Sequence, residues 1–187
     1  ILAKNSAEWL IADLAIMMAN MISVPIYPTA NEDTIAYVLE HSEAKAVFVG
    51  KLDNTDAAEK AISTSILRIT FPYQTVSASN HWKNWLTTYE PISKLPTQRA
   101  DDLFSLIYTS GSTGKPKGVE LTCRNVASSS YTSAQVMTCD EKDRWMSYLP
   151  LAHITERCVV ELMSLYSGVE LFFVESLDTF LDDVKHA

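Results

Sequence analysis

Hydrophobic and polar positions alternate between helical and extended spacing along the first seventy residues. The first helical pattern follows Asn5 and Glu8, which have the spacing of a capping box. Its apolar positions then recur every three or four residues, at Leu10, Leu14, Met17, Met18 and Met21. We therefore expect a helix of about four turns, followed by a short apolar strand at residues 24–27.

More helices and strands are predicted before residue 70. Thr29 and Glu32 can cap a second helix, whose buried face is Ile35, Val38 and Leu39. Apolar runs at residues 46–49 and 66–69 predict strands, and the alanine-rich segment between them predicts a helix. Strands that alternate with helices favour an α/β fold with a mostly parallel sheet layered with helices.

The second half of the chain begins irregularly. Residues 71–102 predict only one short amphipathic helix, with Trp82, Trp85, Leu86 and Tyr89 as its apolar positions. Strands are then expected at 103–108 and 119–121, joined by a polar loop so that they can pair as a hairpin. The elements expected after the hairpin are a helix at 125–136, a strand at 145–148, a helix at 154–166 ended by Gly168, a strand at 169–174, and a helix with Leu177, Phe180, Leu181 and Val184 on one face.

Bulk composition narrows the classes of function. The 187 residues are 47% hydrophobic, and a net charge of -8 provides no basic surface for nucleic acid or anionic lipid. Cys123, Cys139 and Cys158 are widely spaced without a CxxC pair, which argues against zinc and fits reduced thiols. We expect a globular cytoplasmic protein that binds no nucleic acid. Peripheral membrane contact and oligomeric state stay open.

Signals for membrane insertion or secretion are weak. The apolar stretch at residues 10–26 contains Asp13 and Asn20 and meets Pro25, which suits a buried helix followed by a strand better than a membrane span. Residues 1–4 lack the pattern of a signal peptide and resemble an internal start. We predict no transmembrane segment.

The polar loop between the two hairpin strands concentrates residues that bind phosphate. Three of the five glycines fall within residues 111–118. Gly111 and Gly114 can turn successive N–H groups toward one point, and Lys115 and Lys117 add positive charge. Four hydroxyl side chains accompany them, at Thr109, Ser110, Ser112 and Thr113. The loop therefore predicts a cradle for a polyphosphate.

Two other interpretations of this loop are weaker. A flexible, solvated turn is the usual role of such a stretch, but it does not explain so many specified positions together. A Walker-type loop needs four residues between its glycines and Ser or Thr after Gly-Lys, whereas Pro116 follows Lys115 here and only two residues separate Gly111 from Gly114. The loop also leads into a strand, so a kinase or GTPase is disfavoured.

Residues 108–119 resemble the signature phosphate loop of the AMP-forming acyl-adenylate synthetase superfamily, which includes acyl-CoA synthetases, peptide-synthetase adenylation domains and luciferases. Residues 148–157 are similar to a segment of long-chain fatty acyl-CoA synthetases, in which Phe is usual at the place of Thr155. Residues 5–49 are similar to the same subfamily, in which a small residue, usually Gly, is common at the place of Asn20. The resemblance covers most of the chain and is weakest over residues 50–100.

This resemblance implies a chemistry. In the family, a carboxylate attacks the α-phosphorus of ATP to give acyl-adenylate and pyrophosphate, Mg²⁺ assists, and the sulfur of coenzyme A then displaces AMP. For this protein it implies ATP-dependent activation of a carboxylic acid, with a long-chain fatty acid as the substrate class and ATP, Mg²⁺ and coenzyme A as the small-molecule partners. It assigns the phosphates of ATP to Thr109, Ser110, Gly111, Ser112, Thr113, Gly114, Lys115 and Lys117. It assigns no metal ligand within the chain.

His153 is the candidate catalytic residue. It follows a Pro150-Leu151-Ala152 turn at the entry to a predicted helix. The resemblance implies an aromatic residue or His here, near the acyl carboxylate and the α-phosphate, and so a role in orientation or charge stabilisation. A capping or hydrogen-bonded structural histidine stays open, because a lone His is weak evidence.

Other chemically capable side chains are expected to be structural. Glu156 and Arg157 are predicted to form a solvated or locally paired helix face. Tyr108 and Trp145 are predicted to pack in the core or at strand ends, and Cys158 is predicted to lie in the core. We expect the remaining histidines on the surface, at His41, His81 and His186.

Complete members of the family continue well beyond this length, with adenine, ribose and metal segments and a mobile C-terminal lysine. We expect residues 1–187 to be a partial N-terminal AMP-binding domain, with alternation at 1–70, an irregular stretch at 71–102, the phosphate loop and further α/β units at 103–187, and no C-terminal domain. The complete protein would be an acid–thiol ligase, and this part alone inactive. Open alternatives are a noncatalytic nucleotide- or acyl-binding module, a ligase for another carboxylic acid, and a phosphotransferase that releases ADP.

Overall fold

A parallel sheet runs through the first half of the protein. The computed structural model describes residues 1–73, 76–78, 80–109, 114–176 and 178–186. Strands β1 (Ala46–Val49), β2 (Leu67–Thr70) and β3 (Asn80–His81) pair in parallel, in that order. The backbone at Leu2 pairs in parallel with both Val49 and Ile26, so the sheet continues beyond β1 to the segment around residue 26.

Helices alternate with these strands. They are α1 (Ala7–Met18), α2 (Glu32–His41), α3 (Asp56–Ala61) and α4 (Trp82–Thr88). Helix α2 buries the predicted residues Ile35, Val38 and Leu39. The predicted α/β class, with helices layered on a mostly parallel sheet, is confirmed.

A β-hairpin lies beside the parallel sheet. Strands β4 (Leu103–Thr109) and β5 (Lys117–Thr122) are antiparallel, with Thr109 opposite Lys117. Ser23 and Ser105 form a parallel bridge, which joins the hairpin to the segment leading to Ile26. The predicted hairpin is therefore confirmed, and the parallel sheet supports the base of its loop.

The remaining elements follow the predicted order. They are α5 (Cys123–Met137), β6 (Arg144–Ser147), a π-helix (Glu156–Leu162), α6 (Met163–Ser167), β7 (Glu170–Phe173) and α7 (Phe180–His186). Strands β6 and β7 are parallel. Gly168 ends α6 with φ 77°, as its predicted capping role requires. Leu177, expected on the face of the last helix, lies outside the described residues.

The core covers both faces of the sheet. Leu2 packs with Val49 and the buried face of α2, whereas its neighbours Ile1 and Ala3 pack with Trp9 and Phe71 on the other side. Successive residues of an extended segment point to opposite faces. Both faces are apolar because helices cover both, as is typical of parallel sheets.

The helix caps differ from the predicted ones. Ser6, not Asn5, caps α1, and its Oγ accepts a hydrogen bond from Trp9 N at 3.2 Å. Asn31, not Thr29, caps α2 by accepting from Thr34 N at 2.9 Å. In each case the helix begins at a cap later than the predicted one. Asn5 is displaced from the role because its side chain holds a turn elsewhere.

The apolar positions that predicted α1 are not the residues that this helix buries. The buried residues of this helix are Trp9, Ala12 and Asp13, whereas Met18, its last residue, and Met21, beyond its end, are exposed. Apolar residues occur nearly all round this helix, so their spacing does not select a face. A buried ion pair of Asp13 sets the orientation.

Asn20 stands where a small residue, usually Gly, is common in the similar subfamily, and its conformation shows how asparagine can replace glycine there. It follows α1 with φ 58°, in the left-handed region. Asn20 N donates to Met17 O at 2.9 Å and Met21 N to Ile16 O at 3.0 Å, which is the pattern of a Schellman cap. Asn tolerates this conformation better than other non-glycine residues. The helix therefore ends normally without glycine. Among the described residues, no helix has the length and apolarity to cross a bilayer.

Candidate functional site

The candidate site is a cavity of about 550 Å³ between the hairpin and the segment that carries His153. Thr109 and Pro116 line it from the hairpin, His153 and Ile154 line it from the other side, and Tyr27 and Tyr108 contribute phenol groups. Burial raises the pKa of Tyr27 and of Tyr108, so both phenols keep their protons and can donate. The cavity is mainly apolar with a few polar groups, as small-molecule sites usually are.

The described part of the phosphate loop has the expected character. Thr109 ends β4 and Lys117 begins β5 directly opposite, so both flank the loop. Gly114 has φ +89° with open space around its Cα, so the conformation, rather than crowding, calls for glycine. Lys115 and Lys117 are exposed, and within the described ranges neither forms an ion pair. Ser110, Gly111, Ser112 and Thr113 lie outside the described residues.

An aromatic group supports the base of the loop. His41 Nδ1 and the hydroxyl of Tyr108 are 2.7 Å apart, and the two rings meet edge to face with Tyr37 nearby. Lys115 Nζ lies 5.6 Å from the centre of the Tyr37 ring, within cation–π range. Tyr108 is buried, as predicted, and His41 is exposed, as predicted, but this partnership was not anticipated. Residues of α2 therefore contact Tyr108 before the loop and Lys115 near its other end.

His153 lies where its chemistry can be used. Its backbone N donates to Pro150 O at 2.8 Å, and its Nδ1 accepts from Thr155 N at 3.2 Å. The ring is exposed at the cavity wall. Because Nδ1 accepts a hydrogen bond, a neutral ring carries its proton on Nε2, which is then a donor. The capping contact and the cavity position therefore coexist in one side chain.

Two side chains hold the turn before His153. Asn5 Nδ2 donates to Leu149 O at 2.6 Å and to Ser147 Oγ at 2.8 Å, while Asn5 Oδ1 accepts from Leu151 N at 2.9 Å. Glu156 Oε1 accepts from Ser147 Oγ at 2.8 Å and from Tyr148 N at 3.0 Å. Burial raises the pKa of Glu156, and these hydrogen bonds oppose the rise. The turn that presents His153 is thus held from both sides.

Glu156 and Arg157 do not form the predicted solvated face, although Arg157 is paired locally with Glu161, as the other predicted arrangement allows. Glu156 is 2% and Arg157 1% exposed, and both point inward from the π-helix together with Glu161. A π-helical turn brings residues five apart onto one face, which places Glu156 and Glu161 on the same side. Sequence spacing read at the ordinary helical period could not reveal this. Cys158 is buried, as predicted.

Arg157 and Asp13 form the centre of a buried polar network. Arg157 Nη2 lies 2.6 Å from each Asp13 oxygen, and Nη1 donates to Ser105 Oγ. Ser23 donates its hydroxyl to Asp13, and Glu161 lies 3.7 Å from Arg157 Nε. Burial, followed by the Asp13 carboxylate, holds the pKa of Glu161 well above its usual range, although Arg157 opposes this. With Glu161 protonated, the three groups carry no net charge.

One signal in the sequence pointed to this network. Asp13 stands alone among apolar residues of α1, and a buried carboxylate requires a cation or several donors. That requirement predicts a buried partner but not which one, because Arg157 is 144 residues away. Asn5 gave no such signal, since its spacing also fits a cap.

Among the described residues, no group of three or more His, Cys, Asp and Glu side chains could hold a metal ion. The phosphate loop supplies the hydroxyl of Thr109 and lysines, which suit phosphate oxygens rather than a bare cation. A divalent ion that acts here therefore fits best as one carried on the phosphates of a nucleotide.

Comparison with known proteins agrees with this geometry. The family model for "AMP-binding enzyme" matches residues 1–187. Fatty acyl-CoA synthetase A of Dictyostelium discoideum is 34% identical over 202 residues, covering 99% of this chain and 30% of the relative. Long-chain-fatty-acid–CoA ligase 1 of Homo sapiens is 30% identical over 206 residues, covering 99% of this chain and 29% of the relative. The chain thus spans about three-tenths of the length of these relatives.

The fold of the chain is similar to that of solved structures. The crystal structure of ATP-bound MatB from Rhodopseudomonas palustris superposes with a TM-score of 0.81 at 23% identity, covering 100% of this chain and 37% of that one. At this identity the likeness concerns the fold alone. The family match extends over every residue, including both walls of the cavity, and the chain therefore belongs to the AMP-binding enzyme family.

Proposed function

We propose that the complete protein activates a carboxylic acid with ATP, forming an acyl-adenylate and pyrophosphate and then an acyl-CoA. The observation that carries the proposal is the shared cavity, in which the end of the phosphate-loop strand, at Thr109, and His153 face one space. Membership of the AMP-binding enzyme family supports it. The acid–CoA ligase names of the relatives support the thioester product.

In this proposal the loop binds the phosphates. Thr109, Gly114, Lys115 and Lys117, with Ser110, Gly111, Ser112 and Thr113 from the loop outside the described residues, bind the β- and γ-phosphates and the leaving pyrophosphate. Lysines at the loop provide charge as the leaving group develops it, which lowers the barrier electrostatically. Mg²⁺, when bound, neutralises phosphate charge. The chain's own contribution is the placement of Thr109 and Pro116, on either side of the loop, at the wall of the cavity.

His153 acts on the reacting end of the substrates. Its Nδ1 is engaged with Thr155 N, so Nε2 is the atom that donates toward the cavity. Such a donor stabilises the charge that develops where the carboxylate meets the α-phosphate. Proton transfer is not required of it, because a carboxylate needs no deprotonation before it attacks.

The proposed acid is a long-chain fatty acid. The names of the relatives carry this substrate class, and the cavity wall is rich in apolar residues such as Ile26, Val38 and Ile107. The test is to measure AMP released by the complete protein with carboxylic acids of graded chain length, aryl acids included. The highest kcat/KM is expected for long-chain acids. A maximum at short-chain or aryl acids would replace the substrate class while leaving the adenylation chemistry in place, whereas ADP as product would remove the chemistry itself.

A further inference from the structure

The side chain of Arg157 connects three parts of the protein that are distant in sequence. Its Nη2 contacts both carboxylate oxygens of Asp13 in α1 at 2.6 Å, and its Nη1 donates to Ser105 in β4. Its backbone N donates to His153 O at 3.1 Å. One residue therefore joins the helix after His153 to α1 and to the strand that enters the phosphate loop.

The position of Ser105 gives this contact a consequence at the site. Ser105 lies in β4, on the strand that ends at Thr109, and is fully buried. Its hydroxyl donates to Ser23 O at 2.8 Å, so the strand is anchored to the parallel sheet at the same point. A shift of Arg157 would therefore move His153 and Thr109 relative to one another across their shared cavity.

The guanidinium group is enclosed by the core. Its Cζ lies 4.7 Å from the centre of the Phe104 ring and 5.7 Å from that of Trp9, and the side chain is 1% exposed. A planar group with donors in a rigid fork can satisfy Asp13 and Ser105 together. Lysine has a single donor centre and cannot reproduce that geometry.

We propose that Arg157 is a positioning residue that sets the register between the turn carrying His153 and the strand leading into the phosphate loop. It touches neither substrate and acts through His153 and Thr109. The inference rests on the proposed function for its kinetic readout, although its structural readout is independent of it.

The experiment compares variants of the complete protein that separate positioning from stability. Arg157→Met removes the contacts. The double variant Asp13→Leu/Arg157→Met removes both charges, a replacement that is often neutral or stabilising in a core. Met163→Ala, a fully buried site at the start of α6 outside the network, is the matched control for lost core packing. Glu161→Gln leaves the contacts of Arg157 with Asp13 and Ser105 in place, so its kcat is expected to stay close to that of wild type.

The kinetic readout is kcat and KM for acid-dependent pyrophosphate exchange, per folded molecule. Displacement of a group by about 1 Å can cost about 100-fold in rate, so a kcat loss of about that size is expected for Arg157→Met and for the double variant. Met163→Ala should keep kcat once folded. Recovery of kcat in the double variant together with its stability would overturn the proposal, because a merely structural role predicts that recovery.

Hydrogen–deuterium exchange of the same proteins gives a readout that needs no activity. Arg157→Met and the double variant should speed exchange at residues 103–109 and 149–154 together, while Met163→Ala should leave both segments protected. Protection of both segments in the double variant would overturn the inference. If the wild type shows no acid-dependent exchange of pyrophosphate, the proposed function fails, and the hydrogen-exchange comparison still decides the role of Arg157.

Discussion

Arg157 and Asp13, 144 residues apart in the sequence, form a buried ion pair in which Arg157 Nη2 lies 2.6 Å from both carboxylate oxygens. Removing one member of such a pair leaves an uncompensated buried charge, which costs about 3–5 kcal/mol. The pair therefore fixes how α1 and the π-helix pack together. It also explains why a buried carboxylate occurs among the apolar residues of α1.

Asp13→Asn should destabilise the complete protein strongly. It leaves Arg157 charged and without its carboxylate, so we expect a loss of about 3–5 kcal/mol in the free energy of unfolding. Urea unfolding measures it. The exposed Asp53→Asn is the control, since it removes a carboxylate that pairs with Lys4 at the surface and should have little effect. Equal effects of the two substitutions would contradict a special role for the buried pair.

Glu161→Gln should change how stability depends on pH. The pKa of Glu161 is raised above 4.5 in the folded protein by burial and by Asp13, against the attraction of Arg157. Glu161 ionises at a lower pH in the unfolded chain than in the folded protein. Its neutral form therefore stabilises the folded protein fully below pH 4.5, and this stabilisation is lost as the pH rises toward the folded pKa.

Gln does not titrate, so the variant should gain stability relative to wild type as the pH rises above 4.5 toward the raised folded pKa of Glu161. The urea midpoint of unfolding, measured over a series of pH values above 4.5, tests this. Exposed Glu90→Gln is the control and should show no such gain. A gain that shrinks as pH rises would mean that Glu161 is ionised in the folded protein.

Asn5→Ala should weaken the site through the turn before His153. The side chain makes hydrogen bonds to Ser147, Leu149 and Leu151, so its loss should cost about 1–3 kcal/mol in the free energy of unfolding and lower the adenylation rate. Unfolding and pyrophosphate exchange measure the two effects. Asn54→Ala, which removes one local bond to Asp56 N, is the control. Unchanged kinetics of pyrophosphate exchange in Asn5→Ala would show that the turn keeps its shape without the hydrogen bonds of the Asn5 side chain.

Two substitutions separate the roles of His153. His153→Ala removes both the contact with Thr155 N and the Nε2 donor, so pyrophosphate exchange should fall by about 100-fold or more if the donor stabilises charge. His153→Asn retains an acceptor suited to capping. We expect it to restore stability and not the rate. Recovery of the rate by Asn would identify His153 as a structural cap.

The phosphate loop is tested by Lys117→Ala and Gly114→Val. A charge-assisted contact contributes about 1.5–3 kcal/mol, so Lys117→Ala should lower kcat/KM for ATP by about 10- to 100-fold. Gly114→Val places a branched side chain at φ +89° and should also impair ATP use. Steady-state kinetics with ATP varied measures both. Exposed Lys94→Ala should leave ATP use unchanged, and similar kinetics in all three would remove the assignment of this loop.

Helices and strands that are marked by residues close together in the sequence were predicted correctly. The spacing of Ile35, Val38 and Leu39 fixed the buried face of α2, and Gly168 marked the end of α6. Apolar spacing could not give the buried face of α1, because the orientation of this helix depends on the distant Arg157. The inward turn of Glu156 and Glu161 was missed because a π-helix changes the period that sequence spacing assumes.

At the site too, features with local sequence signals could be predicted and long-range contacts could not. A cluster of Gly, Ser, Thr and Lys is a local signal, so the loop could be identified before any fold was known. The supports of the site are long-range contacts: Tyr108 with His41, and Asn5 with the turn at Leu149. Residues of these types are common in many roles, and only the fold brings the partners together.

The central claim is tested most directly by the exchange of labelled pyrophosphate into ATP, catalysed by the complete protein in the presence and absence of a long-chain carboxylic acid. Exchange that requires the acid and is lost in Lys117→Ala is the predicted result. ATP cleavage to ADP, or exchange that is equal with and without the acid, would contradict acyl-adenylate formation at this site.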